Sequence, residues 1–277
     1  MRLPGGLVQD GRLLRECTFK PLTGKVELEL FTVLDSMSSM PEQVTITLSM
    51  LLKHLGGEKV TPEKVSQLCI ADRQFLMQQL AVHMGEDELW YTAVCFECEQ
   101  RFDFQIRTSE LPVREARPGY PHISVDTSLG RCRLRLPTGD DQSIISGFSD
   151  TDVAFKQLVK RSILSLEKGD KKRNISDTLL SKFTKDDVAV MEEAMDSVSP
   201  AIVTSISTTC PECGHRNIAK IDPYFILEHF SDNLISEIHV LASTYHWSES
   251  DILALPRQRR HHYLSLIDQR TSVDDYH

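Results

Sequence analysis

Two Cys-x-x-Cys pairs, Cys95/Cys98 and Cys210/Cys213, constrain this 277-residue chain more than any other feature. Both pairs sit in the same surroundings. The first reads AVCFECEQRFDFQI and the second STTCPECGHRNIAKI: an apolar strand, the pair, a polar turn and a returning strand. Two residues between thiolates let a tight turn present both sulfurs to one ion, with backbone N–H groups pointing at them. Two such knuckles packed face to face complete a tetrahedral four-sulfur shell, which suits zinc. Pro211 stiffens the second knuckle, and Gly214 supplies the permissive backbone such turns use. Iron is the alternative metal for the same shell. His215 lies two residues past Cys213 and reads as a neighbour of the shell or an exposed side chain, with replacement of a ligand as the alternative.

The separation of the pairs is the difficulty. Residues 99–209 lie between them, whereas compact zinc ribbons place pairs roughly 15–20 residues apart. The two strand-knuckle-strand units must therefore meet across a large insertion and clamp the chain's halves together. The competing readings are unrelated buried thiols and a redox dithiol. The latter is disfavoured because neither pair opens a helix after a strand. The other three of the seven cysteines, Cys17, Cys69 and Cys132, stand alone and read as small buried apolar residues. A closed four-thiolate shell leaves no position for water or substrate, so it contributes folding free energy and not catalysis. That step moves the expectation from enzyme to scaffold.

Around this site the pattern predicts an α+β fold: split zinc-ribbon-like β hairpins with helical insertions and a C-terminal helical segment. Residues 1–40 read as an extended arm, in which Lys25 to Leu30 alternate in the strand manner. Residues 41–85 read as helical, with an N-cap at Thr61-Pro62-Glu63 and a stop at Gly85. Residues 86–221 form the split core around an insertion over 109–198. Strands are predicted around Leu89–Val94 and Phe102–Ile106, and irregular β structure from Leu111 to Gly147 that includes the short strand Cys132–Leu136. Two helices follow behind capping boxes at Ser149-x-x-Asp152 and Thr184-x-x-Asp187. The first carries Phe155, Leu158, Val159, Ile163 and Leu166 as its buried stripe; the second carries Val188, Met191 and Met195. Between them KGDKKRN (168–174) reads as an exposed loop, a phosphate contact being the sharper alternative. Residues 222–270 are helical: one long amphipathic helix from Leu227 to Tyr245, a short helix capped by Ser248-x-x-Asp251, and another beginning at Pro256. Residues 271–277 read as a flexible tail.

Composition excludes several classes. The formal net charge of −9 argues against general nucleic-acid binding, which needs a basic face. No run approaches the ~18 apolar residues of a spanning helix, and the first residues have no apolar core of signal-peptide length. There is no phosphate-binding glycine loop, His-Glu-x-x-His helix or Gly-x-Ser-x-Gly elbow. Asp140-Asp141 after Pro137-Thr138-Gly139 reads as turn chemistry rather than a catalytic pair. His261-His262 point about 100° apart on a helix. With Arg257, Arg259 and Arg260 they form a basic strip, read either as a solvated face or as a docking surface for an acidic partner.

Several strings taken together resemble the baseplate hub proteins of contractile-tailed phages, the T-even-type baseplate family, which also occurs in prophages and contractile injection systems. They are Leu68-Cys69-Ile70-Ala71-Asp72-Arg73, Cys95-x-x-Cys98 with Phe102-Asp103-Phe104, Leu134-Arg135-Leu136-Pro137-Thr138-Gly139, Cys210-Pro211-Glu212-Cys213-Gly214, and HVLASTYHWSESDILALPRQRRHHY from His239 to Tyr263. The span is roughly residues 60–268, with a weaker likeness at Pro21-Leu22-Thr23-Gly24 to the start of many tail-assembly proteins. The resemblance implies a structural or assembly role in a baseplate. The partners would be other hub, wedge or tube proteins, with no small-molecule substrate and no membrane. The location would be the host cytoplasm during assembly and the virion tail afterwards. It also implies that the paired cysteines are metal knuckles; no catalytic or cofactor-binding residues carry over. From the residues alone, Trp247 beside a capping box reads as a staple between two helices. The alternative function is a zinc-ribbon module contacting nucleic acid or the transcription and translation machinery. It needs a basic, aromatic face around the knuckles, and Glu97, Glu99, Asp103 and Glu212 count against it.

Overall fold

The computed structural model describes residues 1–168, 171–173, 175–229 and 234–274. The chain begins with an antiparallel hairpin, β1 (Arg2–Gln9) and β2 (Arg12–Phe19), and then two helices, α1 (Gly24–Asp35) and α2 (Met40–Leu51). A second hairpin, β3 (Leu52–Leu55) and β4 (Glu58–Lys59), precedes α3 (Pro62–Ser66) and α4 (Ile70–Met84). Next come β5 (Glu88–Val94), β6 (Arg101–Arg107), β7 (Val113–Arg114), β8 (His122–Thr127), β9 (Gly130–Arg135), α5 (Gly139–Ile145) and α6 (Thr151–Ser162). They are followed by β10 (Ile163–Lys168), β11 (Lys171–Arg173), α7 (Asp177–Leu180), α8 (Lys185–Val198), β12 (Ala201–Ile202), β13 (Ser205–Thr209) and β14 (Arg216–Lys220). The last three helices are α9 (Leu234–Tyr245), α10 (Glu249–Ala254) and α11 (Arg257–Asp274). This is the α+β class predicted, built from small antiparallel sheets.

The described chain divides into two compact units that interleave along the sequence. One comprises residues 1–18, 54–76 and 111–203; the other comprises 19–53, 77–110 and 204–277.

In the first unit, strands β8 to β11 form a four-stranded antiparallel sheet of order β11-β10-β9-β8. Cys132 and Leu134 of β9, Ile163 and Leu166 of β10 and Met191 of α8 form its buried core. Helix α8 starts at the predicted capping box. Thr184 accepts from the Asp187 amide, and the Asp187 carboxylate accepts from the Thr184 amide, from the Thr184 hydroxyl and from Ser128. Helix α6 starts one residue later than expected, because Asp150 and not Ser149 accepts from the amides of Asp152 and Val153. That helix ends at Ser162, so Ile163 and Leu166 belong to β10 instead of a helical stripe. Phe155 is exposed. Lys171–Arg173 of the expected KGDKKRN loop pair with β10 as β11, while 169, 170 and 174 lie outside the described residues.

A second buried centre of this unit is Asp72. Its carboxylate accepts from the amides of Gly5 and Gly6, both at 2.7 Å, and from the Cys69 thiol and the Tyr120 hydroxyl. Burial pushes the Asp72 carboxyl up against these bonds, and raises the Cys69 thiol as well. Cys17, Cys69 and Cys132 are all buried, as expected of small apolar fillers.

In the second unit the largest departure from expectation is α1. Residues 24–35 are helical, and residues 1–40 carry a hairpin and a helix instead of an extended arm. Val26, Leu28 and Leu30 do alternate, but the buried positions are Gly24, Glu27, Leu30 and Leu34, at helical spacing behind the N-cap Thr23. Glu27 is buried because two arginines of α11 meet it. Arg257 Nη1 donates to it at 3.0 Å and Arg260 Nη2 at 2.7 Å. Arg260 also donates from Nε to Glu237 of α9, which bonds the His261 ring as well. The basic strip is therefore divided: Arg260 is fully buried and Arg257 nearly so, while Arg259 and His262 are exposed. Tyr245 stacks on Trp247 and Tyr263 meets both edge-on, all ring centroids within 6 Å, the staple predicted at Trp247. The long helix expected from Leu227 is instead a 3-10 turn at Phe225–His229 and then α9, with 230–233 outside the described residues. Helix α11 runs to Asp274, into the expected tail.

Candidate metal centre

The site is built by two hairpins of the second unit with matching geometry. β5 and β6 pair in register from Glu88↔Arg107 to Val94↔Arg101, and β13 and β14 from Ser205↔Lys220 to Thr209↔Arg216. Six residues close each turn, 95–100 and 210–215, with the same backbone bonds. The Cys95 amide donates to Gln100 O and the Glu99 amide to Cys95 O; the Cys210 amide donates to His215 O and the Gly214 amide to Cys210 O. The turn needs a left-handed residue after its second cysteine. Gly214 supplies it at φ 73°, and Glu99 adopts it at φ 58°. The like spacing of the two sequence strings therefore reflects one folded motif used twice.

The four sulfurs of Cys95, Cys98, Cys210 and Cys213 all lie within 4.8 Å of one another. Two approaches cross between knuckles, Cys95 to Cys213 at 3.6 Å and Cys98 to Cys210 at 3.7 Å. Four sulfurs each 2.3 Å from one ion stand about 3.8 Å apart in a tetrahedron. These separations match that shell and are far longer than a disulfide bond. All four are free thiols. The set fits a metal ion, and the donor chemistry is soft thiolate throughout.

The electrostatics of the cluster suit a cation at its centre. The Cys98 amide, joined by the Glu97 amide and the Asn217 side chain, outweighs desolvation and brings the Cys95 thiol down to about 6. Cys213 goes the other way. The His215 amide favours its thiolate, but desolvation and the sulfurs of Cys98, Cys95 and Cys210 push it up to about 12. Cys98 is raised in the same manner against the pull of the Gln100 amide. The Cys95 thiolate is favoured here while those of Cys98 and Cys213 are opposed by the neighbouring sulfurs, a repulsion that a positive ion at the centre would offset.

Asn217, which the sequence pattern did not single out, ties the knuckles together. Its Oδ1 accepts from the Phe96 amide at 2.8 Å, and its Nδ2 donates to His215 O at 3.0 Å and lies 3.6 Å from Cys95 Sγ. It occupies the slot on β14 that Phe102 occupies on β6, one residue after the strand begins. A polar residue at an inward-facing strand position was the available clue. Phe102 packs between Cys95 and Cys210, and Tyr91 stacks on Phe104 behind them. His215 contributes its carbonyl, and its ring is not part of the sulfur cluster.

The separation of the pairs is resolved at the base of the insertion. β7 and β12 pair there, Ala201 with Arg114 and Ile202 with Val113. The chain thus leaves and re-enters at one place, and residues 111–203 belong to the other unit. All four cysteines lie in the second unit, so the cluster joins two hairpins of one body and does not clamp the chain's halves.

The remaining candidates have structural surroundings. Asp141 is a helix-capping residue of α5 whose carboxylate takes both Nη atoms of Arg135, at 2.6 and 2.8 Å, and Nε of Arg161 at 2.6 Å. Asp140 lies beside it in the first turn of α5. His262 and Tyr263 rings adjoin on α11. Among the described residues no helix is long and apolar enough to cross a membrane.

One family model, described as T4 bacteriophage base plate protein, matches residues 8–230, most of the chain. The match takes in both knuckles and begins near the end of β1; the segment from His239 to Tyr263 lies beyond it. No curated protein and no solved structure matches the chain.

Proposed function

Because this chain belongs to the T4 bacteriophage base plate protein family, we propose that it is a structural or assembly component of the hub of a contractile tail or injection-system baseplate. Its second unit is held by a zinc ion on Cys95, Cys98, Cys210 and Cys213. The family supports the coarser statement, a structural role in a phage tail baseplate. The convergence of four sulfurs 118 residues apart in sequence at its widest supports the metal.

The cysteines would hold the ion with all four positions filled by protein. Such an ion supplies a cross-link and no site for a reaction, and the protein acts without catalysis. Its partners are other hub, wedge or tube proteins. It is made in the bacterial cytoplasm and functions in the tail. The nucleic-acid alternative is opposed by the carboxylates at the knuckles, Glu97, Glu99 and Glu212.

Two measurements test this. Metal analysis of the purified protein is expected to give about one zinc per chain. Affinity capture from a tail-producing lysate is expected to recover tube, hub or wedge proteins. Iron in place of zinc would correct the metal alone; capture of RNA and no tail protein would overturn the baseplate role.

A further inference from the structure

The outward face of the first metal hairpin carries an apolar stripe that nothing in the second unit's own packing uses. Along β5 every second residue faces out, and the alternation continues through the buried Cys95 to Phe96. The outward positions are Glu88, Trp90, Thr92 and Val94 of the strand and Phe96 of the turn after it, and those from Trp90 to Phe96 form the stripe. Trp90 is 69% exposed, Val94 61% and Phe96 90%. From Trp90 to Val94 the strand spans about 13 Å, and Phe96 carries the stripe on into the knuckle turn. Large apolar side chains exposed in a row, not scattered, mark a binding surface.

The charges beside the stripe indicate its occupant. On β6, Asp103 stands opposite Thr92 and Arg101 opposite Val94. Asp103 accepts from the Thr92 hydroxyl at 2.6 Å. The neighbouring Arg107 is committed to Glu88 and Glu110, while Arg101 takes part in no ion pair among the described residues. One acid and one base thus flank the midpoint of the stripe symmetrically.

We propose that this face docks on the same face of a second copy of the chain. A two-fold axis crossing the strands between Thr92 and Val94 lays the stripes antiparallel. Trp90 of one copy then meets Phe96 of the other, Thr92 meets Val94, and Asp103 meets Arg101. Every contact occurs twice, as an isologous interface requires. The pattern suits itself, because the acid and the base at its midpoint are each answered by their counterpart across the axis. The face is small against the ~1,000 Å² of a stable interface, so the dimer is weak, with a dissociation constant on the order of tens of micromolar.

Sedimentation velocity on the metal-loaded full chain tests this, from low to high micromolar concentration. The expected result is a reversible dimer that Trp90→Ser or Phe96→Ser abolishes. Both positions are exposed, and unchanged metal content and circular dichroism verify the fold of each variant. Arg101→Asp and Asp103→Arg are each expected to weaken the dimer about tenfold or more. The double swap R101D/D103R is expected to restore it. A chain that stays monomeric throughout overturns the proposal, as does a dimer indifferent to Trp90→Ser. Single swaps that disrupt without rescue in the double swap also overturn it, since they mean that a different surface faces this stripe.

Discussion

At the residue scale, the cysteines were legible because ligand spacing and flanking strands repeat in the sequence, and the structure places the four sulfurs together. Asn217 and Glu99 were not. A left-handed backbone is advertised by glycine, and Gly214 is one; Glu99 reaches the same conformation against its preference because the knuckle demands it. Asn217 reads as an unremarked polar residue until the two hairpins are superimposed in register. Its side-chain amide is nearly buried and bonds three groups, two of them in the opposite knuckle. Removing such support from a metal site costs about tenfold or more in affinity. Asn217→Ala is therefore expected to lower metal affinity by that factor while leaving the stoichiometry at one ion. Competition against a chromophoric chelator reads both quantities, and unchanged affinity would mean that the amide only fills space.

At the element scale, periodicity located most strands and the C-terminal helices, and capping chemistry located α3, α8 and α10. It failed where two periods coincide. Lys25–Leu30 satisfies the strand alternation, but burial of Glu27 by two arginines from residues 257 and 260 selects the helix. No local window contains that information. Asp141 shows the same dependence on distant partners: it reads as half of a turn, yet it holds β9, α5 and α6 through Arg135 and Arg161. Burial raises its carboxyl, but the bonds from Arg135, the Thr138 amide and Arg161 prevail and leave it at about 2. A carboxyl lowered in the folded state stabilises fully above its unfolded value near 3.9 and loses that contribution as pH falls toward 2. Asp141→Asn is expected to cost about 2–3 kcal/mol at neutral pH, since it leaves two partly buried arginines without their anion. The difference from the parent chain should shrink between about pH 4 and pH 2. Urea unfolding across that range measures it. A difference that persists at pH 2 would assign the loss to packing.

At the scale of the whole molecule, the sequence expectation was a clamp across the chain, and the topology makes it a clamp within one unit. Contiguous segments were the natural units to expect, because nothing in residues 111–203 signals that their two ends pair with each other through only two residues on each side. That short pairing closes the long insertion at its base, at little cost because the entropy of loop closure grows only slowly with length. A consequence follows for metal removal. A structural zinc contributes on the order of 10 kcal/mol, comparable with the whole stability of a domain, so with such an ion bound as proposed, hairpins of five to seven residues per strand are expected to lose their order when it is removed. The first unit keeps its own core around Cys132, Leu134, Ile163, Leu166 and Met191 and contains none of the ligands. Stripping the ion with a strong chelator, or replacing Cys210 by serine, is expected to abolish amide protection over 88–107 and 205–220 while β8–β10 and α8 retain theirs. Hydrogen exchange read by mass spectrometry separates the outcomes. Loss of protection in both units would make the ion an organiser of the entire chain. Full protection everywhere would mean that the sulfur cluster holds no structural ion at all.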